Sequence, residues 1–191
     1  FSYMFYGCSG LTTIPQLDTS KGTYFGYMFY GCSGLTTIPQ LDTSKGTDFS
    51  YMFYGCSGLT TIPQLDTSKG AYFSNMFSGC SKLTAIPQLD TSNGTNFSGM
   101  FNGCNALTNL TIKGSINVSG MDLKSAAKLS KASITSAVNA LSASASGKSI
   151  TFSKTAIDSA FETSSGAADG VASDEWLNLI ATKSNWTISL S

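Results

Sequence analysis

Apolar side chains recur at the same places in every stretch of 24 residues over the first half of the chain. In the second stretch they follow the i, i+3, i+4, i+7 spacing of one helical face, at Phe25, Met28, Phe29 and Cys32. Thr23 precedes this run as a candidate N-cap, and Gly31 interrupts it. We therefore expect a short helix over residues 23–32, with its aromatic side chains turned inward.

An extended segment is predicted directly after this helix. Its apolar positions are Leu35, Ile38 and Leu41, and the β-branched residues around Ile38 favour an extended backbone. Pro39 has no N–H group to donate to a ladder, so we expect it to end the strand. Turn-forming residues then return the chain to the next helix, at Asp42, Thr43, Ser44 and Gly46.

The unit repeats with a fixed period, which the cysteines mark at Cys8, Cys32, Cys56, Cys80 and Cys104. A period of roughly 20 to 50 residues is typical of solenoids, in which each unit buries its apolar face against the next. One strand and one short helix per unit predict an α/β solenoid, a right-handed leucine-rich-repeat-like coil whose short parallel strands lie about 4.8 Å apart. We assign five units to residues 1–112, the first of them truncated. The predicted core ladder consists of the five cysteines together with Phe5, Phe29, Phe53, Phe77 and Phe101.

The period is lost after Gly114, where the composition shifts to Ser, Ala and Lys. The pattern there predicts an extended piece over 116–123, a helix within 130–145, a strand over 148–154, a helix over 173–185 capped by Ser173, and a final strand over 186–191. A small polar loop is expected around 162–175. Because a solenoid needs an end unit that stops further stacking, we interpret 113–191 as a diverged α/β C-terminal cap that continues the coil.

Composition and charge exclude several classes of function. The chain has 191 residues, with 11 basic and 11 acidic side chains and no histidine. Balanced charge argues against nucleic-acid binding, and no apolar run is long enough to span a membrane. Without imidazole the commonest general base is missing, so we expect no enzymatic activity and no cofactor. Because the sequence starts inside a repeat at Phe1, we expect more repeats or another domain upstream.

Two rows of side chains carry candidate chemistry that we interpret as structural. The five thiols permit disulfides or a metal site, but an odd number in a straight ladder favours small buried apolar side chains. The aspartates at Asp18, Asp42, Asp66 and Asp90 form a candidate cation row. We expect each carboxylate to accept backbone N–H bonds in its own turn instead, with Lys21, Lys45 and Lys69 relieving the like-charge repulsion.

Exposed aromatic and hydroxyl side chains form the candidate ligand surface. Tyrosine rows off the apolar face provide contact area and a polar tip, at Tyr3, Tyr27, Tyr51 and at Tyr6, Tyr30, Tyr54. The alternative for these rows is that the tyrosines pack on one another and stabilise the stack. The threonine-rich strand side is the second candidate surface, with Thr13, Thr37 and Thr61.

The repeats resemble those of a known family. "FSYMFYGCSGLTTIPQLDTSKGT" and "FSGMFNGCNALTNLTI" are similar to BspA-like bacterial surface leucine-rich repeats, in the variant with an "MF..C..L" core and an "LDTSN.TN" turn, over residues 1 to about 112. The resemblance implies export by host-associated bacteria or a phage-borne gene, and adhesion or recognition without catalytic residues. Tails like "ATKSNWTISL" follow such repeats in that family. The last unit departs from the pattern, because "LTNLTIKG" lacks the Pro and the Asp.

These observations together predict a non-enzymatic recognition or adhesion module of a bacterial cell-surface or phage-borne protein. It would present its repeated surface to a protein or glycan on a host or neighbouring cell. The expected location is the bacterial cell surface, with a phage virion as the alternative. The competing hypothesis is a structural spacer or stalk that has no ligand of its own.

Overall fold

The computed structural model describes residues 1–161 and 174–191, and it shows an α/β arrangement of short parallel strands with few helices. The elements in chain order are β1 (Ala85–Asp90), β2 (Asn109–Lys113), β3 (Asp122–Leu123), α1 (Lys131–Asn139), β4 (Lys148–Phe152), α2 (Lys154–Ala160), α3 (Asp174–Ala181) and β5 (Trp186–Leu190). Successive copies of the repeat, here numbered one to five by their cysteines, lie side by side. Equivalent residues form parallel bridges between them, from Tyr24 to Asp48 to Tyr72 to Asn96.

The segment expected to be helical in each copy is a series of turns. Met28 donates to the carbonyl of Phe25, and Cys32 to that of Phe29, over three residues each. Between them, the N–H of Phe29 bonds to Met52 of the next copy at 2.9 Å. A helix cannot form here, because Tyr27 has a positive φ of 60° and half of the N–H groups bond across to the neighbouring copy.

The extended segment becomes a hydrogen-bonded strand at the end of the repeats. β1 pairs in parallel with β2, Ala85 opposite Asn109 and Asp90 opposite Lys113. The expectation that proline ends this strand is wrong, since Pro87 lies inside β1. The register shifts between Ile86 and Leu89, because the ladder bulges where the missing N–H would have donated.

The core runs through the copies as stacks of like side chains. Phe25, Phe49, Phe73 and Phe97 are buried, with ring centroids 5.5–5.8 Å apart along the row. Methionine, cysteine and leucine of each copy lie in the same cluster, which continues through Leu110 and Ile116 into the tail. Each copy therefore buries its apolar face against the next one.

The tail is built from strand–helix–strand units. β3, β4 and β5 form a parallel sheet in that order, with Ile150 opposite Ile188. The helix predicted within 130–145 is confirmed as α1, with Ile134 and Val138 buried, although it ends before Leu141. The strand predicted at 148–154 is confirmed as β4, and the final strand as β5. α2 was not anticipated from the sequence.

Part of the predicted second helix lies outside the described residues. α3 begins at Asp174, so the proposed cap Ser173 and the expected loop up to that point are not described. None of the helices in the described ranges is both long and apolar enough to cross a bilayer.

Helix α1 covers the free edge of β2. The hydroxyl of Ser133 accepts from the N–H of Leu110 and that of Ser136 from the N–H of Ile112, both at 2.9 Å. The same hydroxyls donate back to carbonyls of this segment. Serine side chains thus satisfy the groups that another parallel strand would have bonded, and the edge is closed to further pairing.

Candidate recognition surface

The tyrosines of the first three copies form two columns on the turn side of the molecule. In the first column the ring centroids of Tyr3 and Tyr27 lie 4.8 Å apart, and those of Tyr27 and Tyr51 4.7 Å. The second column, Tyr6, Tyr30 and Tyr54, has spacings of 4.7 Å. Interplanar angles of 6–11° show face-to-face stacking within each column.

Stacking decides which parts of these rings are accessible. The rings of the first copy, Tyr3 and Tyr6, are 57% and 50% exposed. The rings of the second and third copies are half-buried, at Tyr27, Tyr30, Tyr51 and Tyr54. Burial, with the neighbouring phenols, raises the pKa of Tyr27 and of Tyr30. The inner columns therefore present ring edges and hydroxyl groups, because their faces are occupied by one another.

The threonine candidates occupy the strand side. Thr13, Thr37 and Thr61 are all exposed, and Thr61 forms a backbone bridge to Ala85 of the next copy. Beside them, Thr60 and Thr84 donate their hydroxyls to carbonyls one copy earlier, at 3.3 Å each. Thr13, Thr37 and Thr61 are thus accessible to a ligand.

The cysteines are found mostly in the core. Cys32, Cys56, Cys80 and Cys104 are buried, and each Sγ donates to a phenylalanine carbonyl of the preceding copy at 3.1–3.2 Å. Cys8 and Phe5 depart from the predicted core ladder. Cys8 is exposed and Phe5 half-buried, because no copy covers their outer side in this structure.

Burial raises the pKa of these thiols and so lowers their reactivity. It raises the pKa of Cys32 to about 11, that of Cys56 and Cys104 to about 12, and that of Cys80 well above its ordinary value. All five cysteines are free of disulfides. Across residues 1–161 and 174–191, no group of three or more His, Cys, Asp or Glu side chains is arranged to hold a metal ion.

The aspartate row lies in turns, as expected from the sequence. The Oδ1 atom of Asp42 accepts from the backbone N–H of Ser44 at 3.0 Å and from its hydroxyl at 2.7 Å. The hydroxyl and N–H of the following serine lower the pKa of Asp18, Asp42 and Asp66. Burial opposes this effect at Asp90, but the bonds from Ser92 and the Lys113 ammonium still lower its pKa.

Beside these turns runs a groove of about 1030 Å³ that sequence reasoning missed. Its floor contains an amide ladder, in which Gln16, Gln40 and Gln64 each donate to the backbone carbonyl of the glutamine one copy later, at 2.6–2.7 Å. The recurrence of Gln before each "LD" was the available signal. This ladder ties each of the first three copies to the next one along the groove.

Short parallel strands, copies bonded to their neighbours and ladders of identical side chains define an α/β repeat protein. The chain belongs to the family described as "Mycoplasma protein of unknown function, DUF285", whose model matches residues 1–113 and 36–133. No curated protein and no solved structure matches the chain.

The structure brings the tyrosine candidates together and leaves the threonine candidates apart from them. The six tyrosines make one continuous patch through tilted contacts between the columns, such as Tyr27 to Tyr30 at 5.8 Å. The patch stops after copy three, where Asn75 and Ser78 stand in the place of tyrosines. The patch therefore does not extend over every copy.

Proposed function

We propose that this chain is a non-enzymatic recognition or adhesion module, which presents a repeated surface to a protein or glycan partner. The observation that carries the proposal is the double tyrosine column. The same two side chains recur in three successive copies, 4.7–4.8 Å apart, with their ring edges partly exposed. Tyrosine offers a large contact area and a hydrogen-bonding tip at low entropic cost, which is why it is enriched at binding surfaces.

Repetition supports recognition through avidity. A partner that also repeats can engage several equivalent positions at once, and linked weak sites gain on the order of 100-fold or more in apparent affinity. The rigid stacking fixes the spacing of the sites, so less entropy is lost when several are engaged together.

We further propose that the repeats form a right-handed leucine-rich-repeat-like solenoid over residues 1–112, with 113–191 as its cap, and that they are of the BspA-like surface type. The parallel bridges at intervals of 24 residues and the α1 serines that occupy the edge of β2 support this arrangement. The location that fits such a module is the bacterial cell surface, with a phage virion as the alternative.

The experiment that tests recognition uses two triple variants of one column. Tyr6→Phe, Tyr30→Phe and Tyr54→Phe together keep the ring stack and remove the hydroxyl groups, whereas the three alanine substitutions remove both. The whole chain and each variant are screened on a glycan array and for binding to cells. We expect the phenylalanine variant to fold normally and bind at least tenfold more weakly.

The matched control is the pair Tyr24→Phe and Tyr72→Phe, because these tyrosines are exposed but lie outside the columns. Binding should be unchanged in this control. A ligand retained at full strength by the column variant would exclude the tyrosine columns as the recognition surface.

A structural spacer is the second candidate, and the ring stacking favours it. Stacked aromatic pairs contribute about 0.5–1.5 kcal/mol each beyond their burial, so the columns also stiffen the molecule. A spacer predicts that the alanine variant loses stability, that the phenylalanine variant does not, and that neither glycans nor cells bind the parent chain.

A further inference from the structure

A second cavity lies where the repeats meet the tail, and we call it the junction pocket. It has a volume of about 360 Å³ and is lined on the repeat side by Asn75, Gly99 and Asn102, and on the tail side by Asp122, Lys124 and Thr151. It does not include the tyrosine columns or the glutamine groove. The junction pocket is formed at one place in the chain, whereas the tyrosine columns and the glutamine groove are built from residues that recur in successive copies.

The pocket exists because the tyrosine columns end. Asn75 and Gly99 occupy the place that Tyr3, Tyr27 and Tyr51 hold in the first three copies, and Asn75 retains their left-handed backbone, with φ of 53°. Gly99 leaves room for the amides on either side of it. A Cβ atom there would overlap the Oδ1 atom of Asn75 and lie 3.2 Å from the Nδ2 atom of Asn102.

Two amide groups thus flank the backbone of Gly99 at the mouth of the pocket, with Asn75 half-buried and Asn102 exposed. Among the described residues, neither the Asn75 side chain nor the Asn102 side chain makes a hydrogen bond. An amide both donates and accepts, so the pair matches a ligand whose groups do both, as hydroxyl groups do.

Charge and polarity narrow the class of ligand further. Asp122 and Lys124 form an ion pair of 3.1 Å, so the lining carries no net charge and favours a neutral ligand. The apolar residues of the lining, Met121 and Ile150, are 2% and 1% exposed and offer little surface to an apolar side chain. This disfavours a peptide, whose recognition depends on such side-chain pockets.

We propose that the junction pocket binds one or two rings of a neutral sugar, through the amides of Asn75 and Asn102. The volume is at the lower end of the roughly 300–1,000 Å³ of small-ligand sites. The pocket is independent of the tyrosine columns, so failure of either proposal leaves the other standing.

The test is an NMR titration of the whole chain with D-glucose, D-galactose, N-acetyl-D-glucosamine and their disaccharides. We expect saturable shifts of the backbone amides of Gly99, Asn102 and Gly120 with at least one of these sugars. No saturable shift with any of them, or binding of triglycine or a charged sugar in their place, would overturn the assignment.

Asn75→Tyr is the diagnostic variant. The first three copies hold tyrosine in this backbone conformation, so the chain should fold, and the new ring should stack on Tyr51 and fill the pocket. Sugar binding is expected to weaken at least tenfold. Asn93→Lys is the matched control, because it also replaces an asparagine by the residue found in the earlier copies but lies outside the pocket. This control should bind sugar as the parent chain does. If Asn75→Tyr also binds as tightly as the parent chain, the site is refuted.

Discussion

The buried thiols are the side chains whose chemistry the fold changes most. Sγ of Cys56 donates to the carbonyl of Phe29 at 3.1 Å, deep between two copies. Removing the thiol from water raises its pKa from 9.0 to about 12, because the thiolate would be poorly solvated there. A cysteine in this position acts as a small apolar side chain with a weak donor, and it is protected from oxidation and metal binding.

This shift makes stability depend on pH in the alkaline range. A group with a raised folded-state pKa stabilises the fold fully below its unfolded pKa, and the contribution falls as pH rises toward the folded value. Above about pH 9, each buried thiol should therefore lower the free energy of unfolding by about 1.4 kcal/mol per pH unit. Urea denaturation at about pH 8 and about pH 10 measures the loss.

Cys56→Ala should reduce that pH-dependent loss by the contribution of one thiol, although it lowers stability at neutral pH. Cys8→Ala is the matched control, because Cys8 is already exposed in the folded chain. An identical loss between the two pH values in the parent and in Cys56→Ala would contradict the assignment of the pH dependence to buried thiols.

At the scale of elements, the junction between β2 and α1 decides where the β1–β2 sheet ends. An edge strand with open N–H groups is a template for further pairing, and here Ser133 and Ser136 occupy those groups. The N-cap Ser130, whose side chain accepts from the N–H of Ser133, fixes the start of the helix. The helix therefore begins where Ser133 and Ser136 can accept hydrogen bonds from β2.

Ser133→Ala should therefore be more destabilising than its position on a short helix suggests. It leaves the N–H of Leu110 buried without a partner, at a cost of about 1–3 kcal/mol. Thr135→Ala is the matched control on the same helix, since the described residues show no hydrogen bond to its side chain. Chemical denaturation of both variants checks the difference, and equal stabilities would show that the serine does not protect this edge.

At the scale of the whole molecule, one buried cluster links the successive copies to the tail. The core cluster is continuous from Phe25 to Trp186, and each copy contacts its neighbours through the same set of side chains. When units interact only with their neighbours, the free energy of folding is approximately a sum over units and interfaces.

Deleting one copy should consequently shorten the molecule without unfolding it. Removal of residues 28–51 joins Tyr27 to Met52 and preserves the register of the repeat. We expect cooperative unfolding to persist, a lower free energy of unfolding, and a decrease in length of about 4.8 Å by small-angle scattering. Loss of all structure in this variant would mean that the copies are not interchangeable and would contradict the proposed solenoid.

The sequence by itself determined the period, most of the side chains that are buried, and the turn chemistry of the aspartates. These features follow from the local pattern, because Phe, Met and Cys side chains that recur every 24 residues are buried at equivalent places in successive copies. It also indicated α1, β4 and β5, where helical or alternating spacing is undisturbed by neighbours.

Tertiary structure alone decided the rest. The 23–32 segment has helical spacing, yet its N–H groups bond to the next copy and Tyr27 is left-handed, so the energy gained between copies outweighs local propensity. Pro87 is tolerated inside β1 because a bulge absorbs it. The junction pocket arises only when residues 75–102 and 120–151 are brought together, which no local pattern encodes.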